Sequence, residues 1–263
     1  MRTFGKWLGR ILLMLILAAL TVYALKREEI TRLLAVNSLF SEEKIVSNFS
    51  SMNTLFLSAG ISKGDAAVNP LPNGTDMTMP ASFDSWTKER AVTGMVVLKD
   101  GQKVHESYYQ DTSPEDLRIS WSVAKSYLSS LMGIVVAEGH IDINEQVTTY
   151  APLLKSTAYD GATVLNVLQM SSGVTFDEDY LDFNSDINRM GRVLAMGGTM
   201  DGFAAGLAET FVEPGKQFQS GPIDTHGLGR VIRGARDRSI PDLALIHHRP
   251  SRRYARERPR VAG

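Results

Sequence analysis

The chain has 263 residues, 43% hydrophobic and 22% charged, which is the balance of a globular protein with a sizeable core rather than a disordered one. It has no cysteine, which excludes disulfides and thiolate metal sites. The net charge of −1 favours no particular partner but hides a break: residues 226–263 carry 10 basic residues, all arginine, against 3 acids, while 1–225 carry 18 against 26.

Arg2, Lys6 and Arg10 precede "ILLMLILAALTVYAL", 15 uncharged and mostly apolar residues from Ile11 to Leu25. A basic stretch followed by an apolar one addresses a chain to a membrane. The run lies between a signal peptide and a full span of about 20 residues. The expectation is an uncleaved signal anchor over residues 1–27, a membrane helix with the domain on the periplasmic or extracytoplasmic side. Cleavage after Ala24 would instead secrete the protein.

Residues 28–90 read as an extension leading into the domain. "SLFSEEK" carries a helix start at Ser38 or Ser41, with acids in the first turn. Residues 62–86, rich in Gly, Pro, Asn, Asp and Ser, predict an extended surface segment. Asn48 and Asn73 stand in glycosylation sequons. The domain, expected over 91–242, opens with two strand-like runs, Val92–Lys99 and Gln102–Tyr109. They flank Asp100-Gly101, the dipeptide of a two-residue type I′ hairpin. A helix from Ser122 to Glu138 is apolar on nearly every face, predicting burial, and Gly139 ends it. Shorter helices are expected at 144–150, 163–170, 185–196 and 202–208. Residues 243–263 form an arginine-rich tail.

Ser122 and Lys125 raise the chemical question. Ser-x-x-Lys occurs three times, at Ser41, Ser85 and Ser122, so the tetrad alone says little. Ser122 differs in context, because it begins the apolar helix with Lys125 one turn on. Burial and the positive end of the helix dipole both disfavour an ammonium there. A neutral lysine could take the serine's proton, with helix-start N–H groups stabilising an oxyanion. A capping serine with a snorkelling lysine explains the same residues without chemistry.

From about Thr93 to Asp242 the chain resembles the serine β-lactamase superfamily, nearest to class C-like esterases and aminohexanoate-dimer hydrolases. The resemblance rests on "MVVLKDGQKVHESYY", "SWSVAKSYLSSLMGIVVAEGHIDINEQV", "YAPLL", "TVLNVLQMSSGVTFDEDY", "EPGKQFQ" and "IDTHGLGRVI". It implies an α+β, β-lactamase/transpeptidase-like fold, an antiparallel sheet with a helical region, represented here in part. It implies that Ser122 is acylated by a small-molecule amide or ester and that Lys125 is its base, with no cofactor. Tyr180 lies in a region that would face the cleft and contact substrate.

Two departures stand out. The family's second motif places a tyrosine shortly after "PG-x-x-F"; here that position falls on Ser220, in "EPGKQFQSGPIDTH". The family also continues for well over a hundred residues, supplying further strands, a third motif and a second oxyanion N–H. "ALIHHRPSRRYARERPRVAG" resembles translation of a shifted reading frame, so a truncated chain of doubtful activity is expected. The alternative function is a non-catalytic, membrane-anchored remnant or binding module. A nucleic-acid-binding role for the basic tail is not expected, as no aromatic interleaving or periodic face accompanies the charge. A Ser122–His226–Asp224 triad is a weaker arrangement of the same residues, since adjacent Asp and His more often serve local turns. His105 is expected on a partly exposed strand face, and His247-His248 lack metal-site spacing.

Overall fold

In the computed structural model of the chain, residues 2–61 and 70–247 are described. Helix α1 (Arg2–Leu25) carries the N-terminal apolar run, and every side chain from Ile11 to Leu25 is exposed. Among the described residues no single helix is long and apolar enough to cross a membrane. Gly9–Leu25 and Arg27–Asn37 pass together by length and composition, but the two are bent by 79°.

Helix α2 (Arg27–Asn37) ends at Ser38, whose N–H reaches back to Leu34 O. Ser38 therefore closes a helix rather than starting one. The next helix, α3 (Ile45–Ser50), begins after Lys44, and Ser41 caps nothing: its hydroxyl is buried without a partner. Asn48 is buried too, its amide donating to Ser38 O and Leu39 O, so that sequon is not free for modification. A short α4 (Met52–Leu55) follows.

Part of the expected extended segment, residues 62–69, lies outside the described residues. The part from Pro72 to Met77 is extended and lies along the hairpin. Lys103 N–H donates to Pro72 O (2.8 Å), and Met77 N–H donates to Val104 O (2.9 Å). The end of the segment is not extended but forms α5 (Phe83–Glu89). The hairpin is as expected, with β1 (Gly94–Lys99) antiparallel to β2 (Gln102–Tyr108) and a register shift between Val97 and Leu98. Asp100 (φ 52°) and Gly101 (φ 75°) both take the left-handed region that a type I′ turn demands.

The remaining helices are α6 (Val123–Ala137), α7 (Val147–Tyr150), α8 (Val164–Leu168), α9 (Asp186–Ala195), α10 (Met200–Ala205), α11 (Pro222–Arg236) and α12 (Ile240–His247). Side-chain caps on N3 N–H groups set three of their starts, from Thr163, Ser185 and Thr199. The core forms around α11, whose Ile223, Leu228, Val231 and Ile232 recur at helical spacing and are at most 3% exposed. They join Met132 and Val135 of α6, Val147 of α7, Val164 of α8, and Leu154 and Tyr159 between them. Gly234 sets the α11–α7 approach: a Cβ there would lie 1.8 Å from Tyr150 O. Helix α12 runs across the expected boundary at 242/243 and buries Leu243 in the same core. The arginine-rich tail beyond His247 lies outside the described residues.

The expectation of an all-round buried α6 needs correction. Only Leu131, Met132 and Val135 are buried, while Val123 is 60% and Tyr127 68% exposed. One stripe meets α11. Tyr127, Leu128 and Ile134 line an open apolar groove of about 660 Å³, with Ile240 and Ala244 of α12 on its other side.

Candidate active site

The start of α6 is reached through a tight turn. Val123, Ala124 and Lys125 N–H donate to the carbonyls three residues back, at 3.0 Å each, a 3₁₀-type entry into the helix. Trp121, immediately before Ser122, has φ 44°. A bulky side chain in the left-handed region is strained and persists only where its surroundings hold it there.

Ser122 occupies the N-cap position, but its φ −64° and ψ −12° are helical and its side chain makes no cap hydrogen bond. A capping serine adopts an extended conformation and accepts from N2 or N3, so the capping account of Ser122 fails. The side chain is exposed, and the Ser122 N–H has no partner among the described residues.

Lys125 lies one turn further on, and its Nζ donates to Ser220 Oγ at 3.3 Å. Ser220 is thus brought to the lysine from 95 residues away. Two contacts pin its loop: Gln219 N–H donates to Met170 O (2.8 Å), and Gln219 Nε2 donates to Phe176 O (3.0 Å). A cavity of about 10 Å³ beside Ser220, lined also by Ser172, Phe176 and Asp224, holds about one water.

Asp224 lies behind Ser220 at 2% exposure and accepts from Tyr159 Oη at 2.8 Å. Burial pushes its carboxyl up from 3.8 to about 6, against the opposing effects of the Tyr159 and Ser172 hydrogen bonds and the Lys125 charge. Burial and the Asp224 charge together hold the Tyr159 phenol well above its ordinary range. Sequence reasoning missed Asp224 except as a triad member. A signal was present: it shares the α11 stripe with Gly227, Leu228 and Val231.

The triad does not form. His226 Nε2 bonds Asp201 Oδ1 of α10 at 2.9 Å, while Asp224 is held by Tyr159. Burial, more than its partner, sets the imidazole, lowering its pKa. His105 is half-buried and pairs with Ser107 on its own strand. Tyr180 is 44% exposed, and its Oη donates to Glu178 Oε1 at 2.9 Å. Desolvation first, and Glu178 second, push its phenol up to about 12. Its ring meets Phe40 edge-on at 5.7 Å, and Phe40 stacks on Trp121. Tyr180 is thus one aromatic ring removed from the residue that precedes Ser122.

A helical domain with a small antiparallel sheet is the arrangement of the β-lactamase-like fold. Residues 81–244, more than half of the chain, match the β-lactamase family model, and the chain belongs to that family. The 6-aminohexanoate-dimer hydrolase of Paenarthrobacter ureafaciens is 29% identical over 143 residues, 53% of this chain and 36% of that protein. A Bacillus anthracis structure described as a 6-aminohexanoate-dimer hydrolase superposes with a TM-score of 0.65 at 17% identity, over 78% of this chain and 58% of that one. At that identity the likeness is one of fold. The chain spans less than two thirds of the length of both proteins.

Proposed function

We propose that the domain is a serine hydrolase that cleaves a small-molecule amide or ester through an acyl-serine intermediate, with Ser122 as nucleophile and Lys125 as base. One observation carries the reading: an exposed, uncapped serine follows a strained residue at the start of α6, with a lysine one turn on that is held by a third polar group. A nucleophile, a base and a group that orients the base is the arrangement covalent catalysis uses. Family membership and the name of the similar 6-aminohexanoate-dimer hydrolase support a hydrolase.

In this reading Lys125 takes the Ser122 proton as Oγ attacks the carbonyl carbon. The Ser122 N–H is free to donate to the oxyanion that forms. The lysine then returns the proton to the departing amine or alcohol, and water releases the acyl group by the same route in reverse. Ser220 stands where the family resemblance expects a tyrosine. A serine hydroxyl relays a proton but cannot act as a phenolate, so turnover should be slow. That departure also favours a second reading, a remnant that keeps the site's shape and binds without turnover. Tyr180 serves as a substrate contact at the rim.

Location is part of the proposal. The three basic residues before the exposed apolar face of α1 support attachment to a membrane, with the domain on its outer side.

The test is labelling of the full chain with a fluorophosphonate and mass-spectrometric mapping of the adduct. Label on Ser122 that disappears in Ser122→Ala, and is slowed in Lys125→Met, is the expected result. An adduct on any other serine overturns the assignment.

A further inference from the structure

Residues 38–50 lie upstream of the family-matched region 81–244, yet they reach the turn that carries Ser122. Asn48 closes this segment on itself by donating to Ser38 O (3.0 Å) and Leu39 O (3.2 Å). The loop so formed presents two aromatic rings. Phe40 stacks on Trp121 with centroids 5.7 Å apart and planes at 19°. Phe49 meets the same indole edge-on at 5.3 Å, and the two phenylalanines meet each other at 6.0 Å. The backbone is fastened as well. Ile119 N–H donates to Phe49 O at 2.9 Å. The Arg118 guanidinium donates to Val46 O (2.8 Å), Ser50 Oγ (2.7 Å) and Thr112 Oγ1 (2.7 Å). Arg118, Ile119 and Trp121, three of the four residues before Ser122, are therefore tied to the segment.

What is held there is a conformation that does not hold itself. Trp121 sits at φ 44°, a region that bulky residues avoid. A relaxed Trp121 would turn the chain differently into α6 and carry the Ser122 hydroxyl away from its present direction. Simple core packing does not explain the aromatic contact, because Phe40 is 48% and Trp121 40% exposed. Truncating Phe40 leaves little cavity, so its contribution to overall stability is small.

We infer that Phe40 and Phe49, with Arg118, are positioning residues: the 38–50 segment is a clamp that holds Trp121 in its left-handed conformation and through it aims the Ser122 hydroxyl. The inference rests on the reading of Ser122 as nucleophile. It makes the reactivity of the serine depend on a segment outside the family-matched residues, so that a chain trimmed to residues 81–244 would keep the motif and lose the aim.

The test uses the full chain in a Trp7→Phe, Trp86→Phe background, in which Trp121 is the only one of the three tryptophans left. Phe40→Ala is compared with Phe40→Tyr, which restores a stacking ring. Three readouts are taken: the second-order rate of fluorophosphonate labelling at Ser122, the emission of Trp121, and Tm. Misplacing a reacting group by about 1 Å costs on the order of 100-fold. Phe40→Ala should therefore slow labelling by about 10-fold or more and shift Trp121 emission to the red, with Tm changed by only a few degrees. Phe40→Tyr should recover both rate and emission. Parental labelling and unchanged emission in Phe40→Ala overturn the clamp, as does a Phe40→Tyr rate as slow as that of Phe40→Ala. A parent that takes no label at Ser122 sinks the nucleophile reading. The clamp is then judged on Trp121 alone, a red shift supporting it and an unchanged spectrum overturning it.

Discussion

At the scale of single residues, Asp224 and Ser220 carry the sharpest consequences. Asp224 is buried, and its carboxyl titrates at about 6 instead of 3.8. Between those values the folded chain keeps a proton that the unfolded chain has lost. Stability therefore falls as pH rises through that window, opposite to a salt-bridged carboxylate, and the loss is complete above about pH 6. Two pKa units correspond to about 3 kcal/mol. Asp224→Asn should remove this slope, so the variant gains on the parent by up to that amount between pH 4 and pH 7. Urea melts at both pH values check it; a parent–variant difference independent of pH would refute the account. Ser220 makes a prediction of the opposite kind, a gain of function. A phenol beside Lys125 would restore a second proton-transfer group, and such groups are worth about 10²–10⁴-fold. Ser220→Tyr should raise p-nitrophenyl ester hydrolysis toward that range and leave Ser122 as the labelled residue. An unchanged rate would mean that a different step limits turnover. Both residues show where the sequence was readable. The motif around Ser220 puts it at the position where the resemblance expects a tyrosine, and in the structure Lys125 Nζ donates to its hydroxyl. Asp224 was hidden because its partners, Tyr159 and Ser172, are set by packing between segments far apart in the chain.

At the scale of elements, α6 shows what composition alone cannot decide. Its residues are apolar on nearly every side, yet only one stripe is covered. Met132, 1% exposed on that stripe, should lose about 2–5 kcal/mol on change to alanine. Tyr127, 68% exposed on the groove side, should change by no more than about 0.5 kcal/mol. Denaturant titration of the two variants separates the faces, and equal losses would contradict the burial pattern. The hairpin was legible because Asp100-Gly101 satisfies a backbone demand that few dipeptides meet. Helix α11 was not, because Gly227, Gly229 and Gly234 weaken its local signal. Tertiary packing supplies the reason for two of them: Gly227 lies against Tyr159 and Leu154, and Gly234 against Tyr150. The aromatic clamp was equally invisible, since Phe40 and Trp121 belong to segments whose proximity only the fold creates. For α1 the expected outcome is recovery of the full chain in the membrane fraction and release on deletion of residues 2–25. A tagged full chain found in the soluble fraction would remove the anchoring proposal.

At the scale of the whole molecule, the described residues divide into a well-packed helical part and a lightly supported sheet. The main core cluster draws its members from α6 to α12 and the loops between them, and none from β1 or β2. The hairpin buries only Val104, at 6% exposure. Strand β2 is flanked by β1 and by residues 72–77, but among the described residues no strand pairs with the outer edge of β1. A two-stranded hairpin is marginal in water, and opening it exposes little apolar surface, so its local free energy of opening should lie well below that of the helices. Native-state hydrogen exchange reads this directly, because protection follows the free energy of the opening that frees each amide. Peptides covering residues 94–108 should exchange on the order of 100-fold faster than those covering 147–168 and 222–236, equivalent to about 3 kcal/mol less local stability. Peptides around 118–122 should fall between, since the turn is tied to residues 46–50 by Arg118 and Ile119 and not to the core cluster. Uniform protection across all of these segments would mean that the hairpin, the clamp and the helical core unfold as one unit, and the two-part account of stability would be wrong.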